Sequence, residues 1–138
     1  MTARLNPYLT FRGTARAVLE RYQEIFGGEL TISTFDAFGV SDDPAEQGHV
    51  MHGQLLAPNG LVLMAADVPA SMESGGNGTV SLSGDADSAA DLRAWWAALV
   101  DGGTVVEPLV TAPWGDEFGM LTDRFGVAWL VNIAGPAA

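Results

Sequence analysis

Tyr8-Leu9-Thr10-Phe11-Arg12-Gly13 and Thr79-Val80-Ser81-Leu82-Ser83-Gly84 are two versions of one pattern, an alternating run closed by glycine, and their recurrence decides the fold. Each copy leads into an apolar-striped helix, then a glycine pair, then a strand: Gly27-Gly28-Glu29-Leu30 in the first half, Gly102-Gly103-Thr104-Val105 in the second. Further along, His52-Gly53-Gln54-Leu55 matches Phe118-Gly119-Met120-Leu121, and Asn59-Gly60-Leu61-Val62 matches Phe125-Gly126-Val127-Ala128. An internal repeat constrains architecture more than any single propensity. Each half therefore reads as β-α-β-β-β. Neither half can bury its helix stripe and one sheet face alone, so the two are expected to pair within one domain, residues 1–138, built of modules 6–67 and 78–134.

The helices carry their own punctuation. Val18, Leu19, Tyr22, Ile25 and Phe26 fall on one face of a helix from Thr14 to Phe26, with Thr14 as its expected N-cap and Gly27 and Gly28 as its stop. In the second half Asp85, Asp87 and Asp91 favour a helix N-terminus, Leu92, Trp95, Trp96 and Leu99 supply the stripe, and Gly102 and Gly103 end it. Strands are expected near 7–12, 29–37, 49–56, 61–66, 79–83, 104–111, 117–122 and 127–133, where Val, Leu, Ile, Thr and aromatics are bounded by Gly, Pro, Asn or Asp. Loops at 39–48 and 67–78 carry the weakest order signals, with Gly75-Gly76-Asn77-Gly78 between the modules.

Composition narrows the chemistry. The 138 residues hold 48% hydrophobic side chains, enough for a core without staples. Six cationic residues, all arginine, face 17 acidic ones for a net charge of -11, which repels phosphate backbones and argues against nucleic acid. The absence of lysine excludes Schiff-base chemistry, and the absence of cysteine excludes thiolate nucleophiles, thiolate zinc sites and disulfides. No G-x-G-x-x-G, P-loop or G-x-S-x-G motif occurs. No signal-like segment opens the chain and no apolar run nears the roughly 18 residues of a membrane span, so a cytoplasmic protein without membrane partnership is expected.

The doubled pattern resembles the vicinal oxygen chelate superfamily, which includes glyoxalase I, bleomycin-resistance proteins and extradiol dioxygenases, and most of all its PhnB-like branch. The resemblance rests on residues 7–13, on Arg21-Tyr22-Gln23-Glu24-Ile25-Phe26-Gly27-Gly28, on Val50-Met51-His52-Gly53-Gln54-Leu55, and on the stretch 114–132 from Trp114-Gly115-Asp116-Glu117 to Trp129-Leu130-Val131-Asn132. It implies an α+β fold in which two paired modules curl their mixed sheets into a cup, with helices outside. Alternation assigns the faces independently: Leu9, Phe11, Val80, Leu82, Val127, Trp129 and Val131 share an apolar parity and should face the helices. The opposite parity holds Tyr8, Thr10, Thr79, Ser81, Ala128, Leu130 and Asn132 and, by the repeat, His52, Gln54, Val62, Met64, Phe118 and Met120. An apolar surface with a few polar groups is the usual make-up of a small-molecule site.

The resemblance further implies four metal-ligand positions, one on the first and last strand of each module, and these fall at Tyr8, Met64, Thr79 and Leu130. None is a normal ligand, and shifting each by one residue supplies no imidazole or carboxylate. The expectation is a protein without metal or other cofactor. His49 and His52 lie three apart in a strand, which sends their rings to opposite faces and argues against a metal pair. His52 reads either as a polar cup residue or as a hydrogen-bonded core imidazole; as the imidazole of the cup it is the candidate for acid-base work. His49 reads as a loop or edge residue. Asp116 and Glu117 point oppositely, and a solvated turn is the plain reading of both. Trp114 either closes the cup or caps the core edge, and Phe118 and Met120 either touch ligand or pack the core. Trp95 and Trp96 read as packing residues.

The leading expectation is therefore a metal-free binder that holds a small, partly aromatic ligand through Tyr8, Thr10, His52, Gln54, Met64, Thr79, Ser81, Trp114, Phe118, Met120 and Leu130. The alternative is a metal-independent acid-base enzyme using His52, and a metal-dependent lyase or dioxygenase ranks below both. The ubiquinone methyltransferase activity attached to names in this branch finds no glycine-rich methyl-donor motif here. Open sheet edges and the habit of the superfamily point to a homodimer.

Overall fold

The structure, a computed structural model, describes residues 5–39, 42–72 and 76–135. The chain divides into two compact units, Met1–Gly76 and Asn77–Ala138. In the first, strand β1 (Tyr8–Phe11) leads to helix α1 (Ala15–Phe26), strand β2 (Glu29–Thr34), a single helical turn α2 (Phe35–Phe38), and strands β3 (Val50–Leu56) and β4 (Val62–Asp67). They form a four-stranded sheet in the order β1-β4-β3-β2, with β1 parallel to β4 and the other pairs antiparallel. The second unit repeats this: β5 (Val80–Gly84), helix α3 (Ala89–Val100), β6 (Thr104–Thr111), β7 (Glu117–Thr122) and β8 (Ala128–Ile133), in the order β5-β8-β7-β6 with β5 parallel to β8. The fold is α+β, two mixed four-stranded sheets each with its helix, and neither sheet closes into a barrel.

Helix α1 buries Ala15, Val18, Leu19, Tyr22 and Phe26, the face that the sequence stripe marks out. At about 1.5–3 kcal/mol for each fully buried large apolar side chain, this face holds the helix to the sheet. Two glycines at matching repeat positions make the close approach possible. Gly53 leaves room for the Leu19 side chain, and a Cβ on Gly119 would stand 2.7 Å from the Trp96 ring. The buried strand residues Leu9, Phe11, Leu55, Leu63 and Ala65 share the helix-facing side of the first sheet. Leu82, Leu121, Trp129, Val131 and Ile133 do the same in the second.

Several boundaries differ from the sequence expectation. The strand read as 29–37 ends at Thr34, because Phe35 turns inward and is buried at the start of α2. Thr14 occupies the N-cap position of α1 but its side chain makes no capping bond. The cap comes from a distance: Asp67 Oδ1 accepts from the backbone N–H of Gly13 at 2.7 Å and of Ala15 at 3.0 Å, while Oδ2 accepts from the N–H of Val50 at 2.9 Å. This buried carboxylate at the end of β4 ties the start of α1 to the start of β3. Asp123 plays a related part in the second unit, accepting from the N–H groups of Phe125 and Val127 and from Trp129 Nε1 at 2.9–3.0 Å.

Candidate functional site

Because strand side chains alternate, covering one sheet face with α1 leaves the other to the opposite parity. In the first unit that open face carries Tyr8, Thr10, His52, Gln54, Val62 and Met64. Register builds them into rows: Tyr8 lies beside Met64, Met64 beside Gln54, and Gln54 beside Thr31. In the next row Thr10 lies beside Ala66, and His52 beside Ser33. The Tyr8 ring, half exposed, stacks on the His52 imidazole with centroids 6.0 Å apart and planes inclined by 29°. His52 is thus a polar residue of the open face rather than a core imidazole. Among the described residues, neither its ring nitrogens nor the Gln54 amide has a protein hydrogen-bond partner. Thr31 and Ser33 were missed by the sequence reading, although the alternation of Leu30 and Ile32 with them in β2 carried the signal.

His49 sits apart from this face. Its ring meets Phe35 edge-on at 5.8 Å and stands against Gly13, and its Nδ1 is buried without a hydrogen-bond partner. It precedes β3, as a loop residue, but is packed rather than free. The two histidines therefore have separate surroundings.

The open face of the second unit carries Ser81, Ser83, Phe118, Met120, Leu130 and Asn132. Ser81 pairs with Leu130 and Leu130 with Met120; Ser83 pairs with Asn132 and Asn132 with Phe118. This corrects the position carried over to Thr79. Thr79 is exposed and precedes β5, and Ser81 is the residue beside Leu130, as Tyr8 is beside Met64. The sequence match went astray because it aligned Gly13 with Gly84. Gly13 lies beyond β1 at a bend with φ +93°, whereas Gly84 is the last strand residue of β5 and pairs with Ile133. With this register the equivalent side chains are a phenol beside a thioether in the first unit and a hydroxyl beside an alkyl group in the second, none of them a usual donor to a divalent ion. Among the described residues, no three His, Asp or Glu side chains converge as a metal site would need.

Trp114 does not cap a core. It is 63% exposed at the turn between β6 and β7, where the Ala112 N–H donates to Asp116 O at 2.7 Å, and its ring meets Phe118 edge-to-face at 5.6 Å. Trp96 packs on Gly119, as a packing residue should. The neighbouring carboxylates diverge as strand geometry requires. Glu117 pairs with Arg93 of α3. Asp116 accepts from the Gly135 N–H at 2.8 Å and from Asn132 Nδ2 at 3.1 Å, so it is a clamp and not merely a solvated turn residue. The Gly135 bond and then the Asn132 bond hold its carboxyl below the usual carboxylate range.

The family model described as 3-demethylubiquinone-9 3-methyltransferase matches residues 3–132. Protein PA1353 from Pseudomonas aeruginosa is 36% identical, superposes with a TM-score of 0.75, and the match covers 96% of this chain and 98% of that one. A PhnB protein from Bacillus cereus, 22% identical, matches with a TM-score of 0.72 over 96% and 100% of the two chains. A member of the glyoxalase/bleomycin resistance protein/dioxygenase superfamily from Sphaerobacter thermophilus, 16% identical, has the same fold at a TM-score of 0.61 over 97% and 98%. The repeat, the two mixed sheets and these matches agree: the chain belongs to the family described as 3-demethylubiquinone-9 3-methyltransferase, and it shares its fold with a member of the glyoxalase/bleomycin resistance protein/dioxygenase superfamily.

Proposed function

We propose that this protein is a metal-free small-molecule binder of the glyoxalase/bleomycin-resistance type that holds a small, partly aromatic ligand on the open faces of its sheets. The observation that carries the reading is the Tyr8–His52 stack, an aromatic platform flanked by the Gln54 amide. Aromatic faces beside polar groups with hydrogen-bonding capacity to spare suit planar ligands. The donor-poor set Tyr8, Met64, Ser81 and Leu130 supports binding without a metal, and no glycine-rich methyl-donor motif in the sequence supports methyl transfer. A thermal-shift screen with aromatic metabolites and antibiotics tests it. A ligand at 100 times its Kd adds about 2.7 kcal/mol, or roughly 8–10 °C for a chain of this length, and Tyr8→Ala should reduce the shift. A panel without any stabilising compound refutes the reading.

A second reading makes the protein a metal-independent acid-base catalyst. Its support is that His52, an imidazole on the open face, has the hydroxyl-bearing Tyr8 and Ser33 as neighbours. General acid-base help contributes typically 10² to 10⁴ in rate, which suits proton transfers and isomerisations. A pH-dependent turnover abolished by His52→Ala would establish it. The same proposal places the protein in the cytoplasm as a homodimer without nucleic-acid or membrane partners. Among the described residues no helix is long and apolar enough to cross a membrane. The edge strand β6 exposes Val105, Val106 and Val110, apolar surface of the kind that a second copy covers. Light scattering at micromolar concentration should give twice the chain mass.

A further inference from the structure

The turn before β7 and the end of β8 bring together four side chains, Trp114, Phe118, Asn132 and Asp116. Trp114 is largely exposed and meets Phe118 edge-to-face. Phe118 is the direct cross-strand partner of Asn132. Asn132 in turn is held by Asp116. The orientation of that amide follows from chemistry, because an ionised carboxylate only accepts and the atom facing Asp116 Oδ2 must be the nitrogen. Asn132 Oδ1 is therefore turned away as a fixed acceptor, and among the described residues no donor reaches it. Directly opposite residues on antiparallel strands lie about 5 Å apart, which places this acceptor beside the Phe118 ring. Asp116 keeps its negative charge through its two accepted hydrogen bonds.

We infer that Trp114, Phe118, Asn132 and Asp116 form a subsite in the second unit for an aromatic ring that carries an N–H donor, with a protonated amine preferred over a neutral amide and a carboxylate rejected. The exposed indole supplies a face for ring stacking and for a cation, Asn132 Oδ1 accepts the N–H, and the Asp116 carboxylate favours positive over negative charge. The net charge of -11 acts in the same direction over longer range. This assignment rests on the small-molecule reading above and names the chemistry of its ligand.

Phenethylamine, phenylacetamide and phenylacetate share one ring and differ in the group it bears, and their binding to the full chain by calorimetry or ligand-observed NMR tests the subsite. The expected order is amine, then amide, then carboxylate, with at least about a tenfold gap between the first and last. Trp114→Ala, at an exposed turn where folding is not at stake, should weaken the amine about fivefold. Asn132→Ala should narrow the gap between amine and carboxylate. Equal affinities, a preference for phenylacetate, no binding of the three at millimolar concentration, or an unchanged Trp114→Ala variant would overturn the subsite. If ligands bind but respond only to Tyr8→Ala and His52→Ala, the subsite fails and the small-molecule reading stands; if no compound of a broad aromatic panel binds, that reading itself fails.

Discussion

Replacing Asp67 by alanine removes one carboxylate and strands three backbone donors at once. Two of them, the N–H groups of Ala15 and Val50, are in buried hydrogen bonds, while that of Gly13 is part-buried and can turn to water. An unsatisfied buried donor costs roughly 1–3 kcal/mol, so about 2 kcal/mol for each of the two gives about 4 kcal/mol. Against the 5–15 kcal/mol typical of a domain this is a large fraction. At roughly 3–4 °C per kcal/mol for a chain of this length, Tm should fall by about 12–16 °C. Urea unfolding followed by circular dichroism measures the loss directly, and an unchanged m-value confirms that the native state is what weakened. Asp67→Asn separates this account from a simple charge effect. Its carbonyl oxygen can still accept from Gly13 and Ala15, but its amide faces the Val50 N–H donor to donor, so the loss should be about half that of alanine. An Asp67→Ala variant within about 1 kcal/mol of the parent would refute the idea that this carboxylate joins helix α1 to strand β3.

Three further outcomes follow from particular contacts. Gly119→Val should cost more than about 2 kcal/mol, because the new side chain meets both the Trp96 ring and the Leu109 backbone; a chain with an unchanged urea midpoint would show that α3 does not rest on β7 as described. Asp116→Ala should lower Tm at neutral pH, and the difference from the parent should shrink as the pH falls below the ordinary carboxylate range near 4. The sign follows from a folded pKa held below the unfolded one: the stabilisation is present above the unfolded value and disappears as the pH drops through the folded value. His52→Ala should leave the unfolding free energy from urea titration within about 0.5 kcal/mol of the parent, since His52 lies on the open face and among the described residues has no protein hydrogen bond, while ligand-induced stabilisation falls.

Much of the fold was legible because it is written in local alternation and repeated punctuation. Leu9 and Phe11 face the helix and Tyr8 and Thr10 face away because strand side chains alternate, and the Gly53 and Gly119 positions reveal themselves by lying at the same place in both halves. Long-range hydrogen bonding was not legible. Nothing near Asp67 announces that it caps a helix 52 residues earlier in the chain, and Thr14, the ordinary candidate beside that helix, masks the need for one. The open-face positions of His52 and Gln54 were readable from the repeat, whereas the position equivalent to Tyr8 was assigned to Thr79 instead of Ser81 because a glycine match in sequence does not fix the register of a parallel strand pair. The clamp formed by Asp116 on Asn132 and Gly135 depends on three segments meeting, and only the fold brings them together.

Under the proposed function the ligand is held without a metal. Elemental analysis of the chain purified without chelator, repeated after incubation with nickel, zinc or ferrous ions and removal of excess, measures this. Well under one ion per chain is expected in every case, with ligand-induced stabilisation unchanged by a chelator. One tightly held ion per chain, lost together with ligand binding when Tyr8 or Met64 is replaced by alanine, would contradict it.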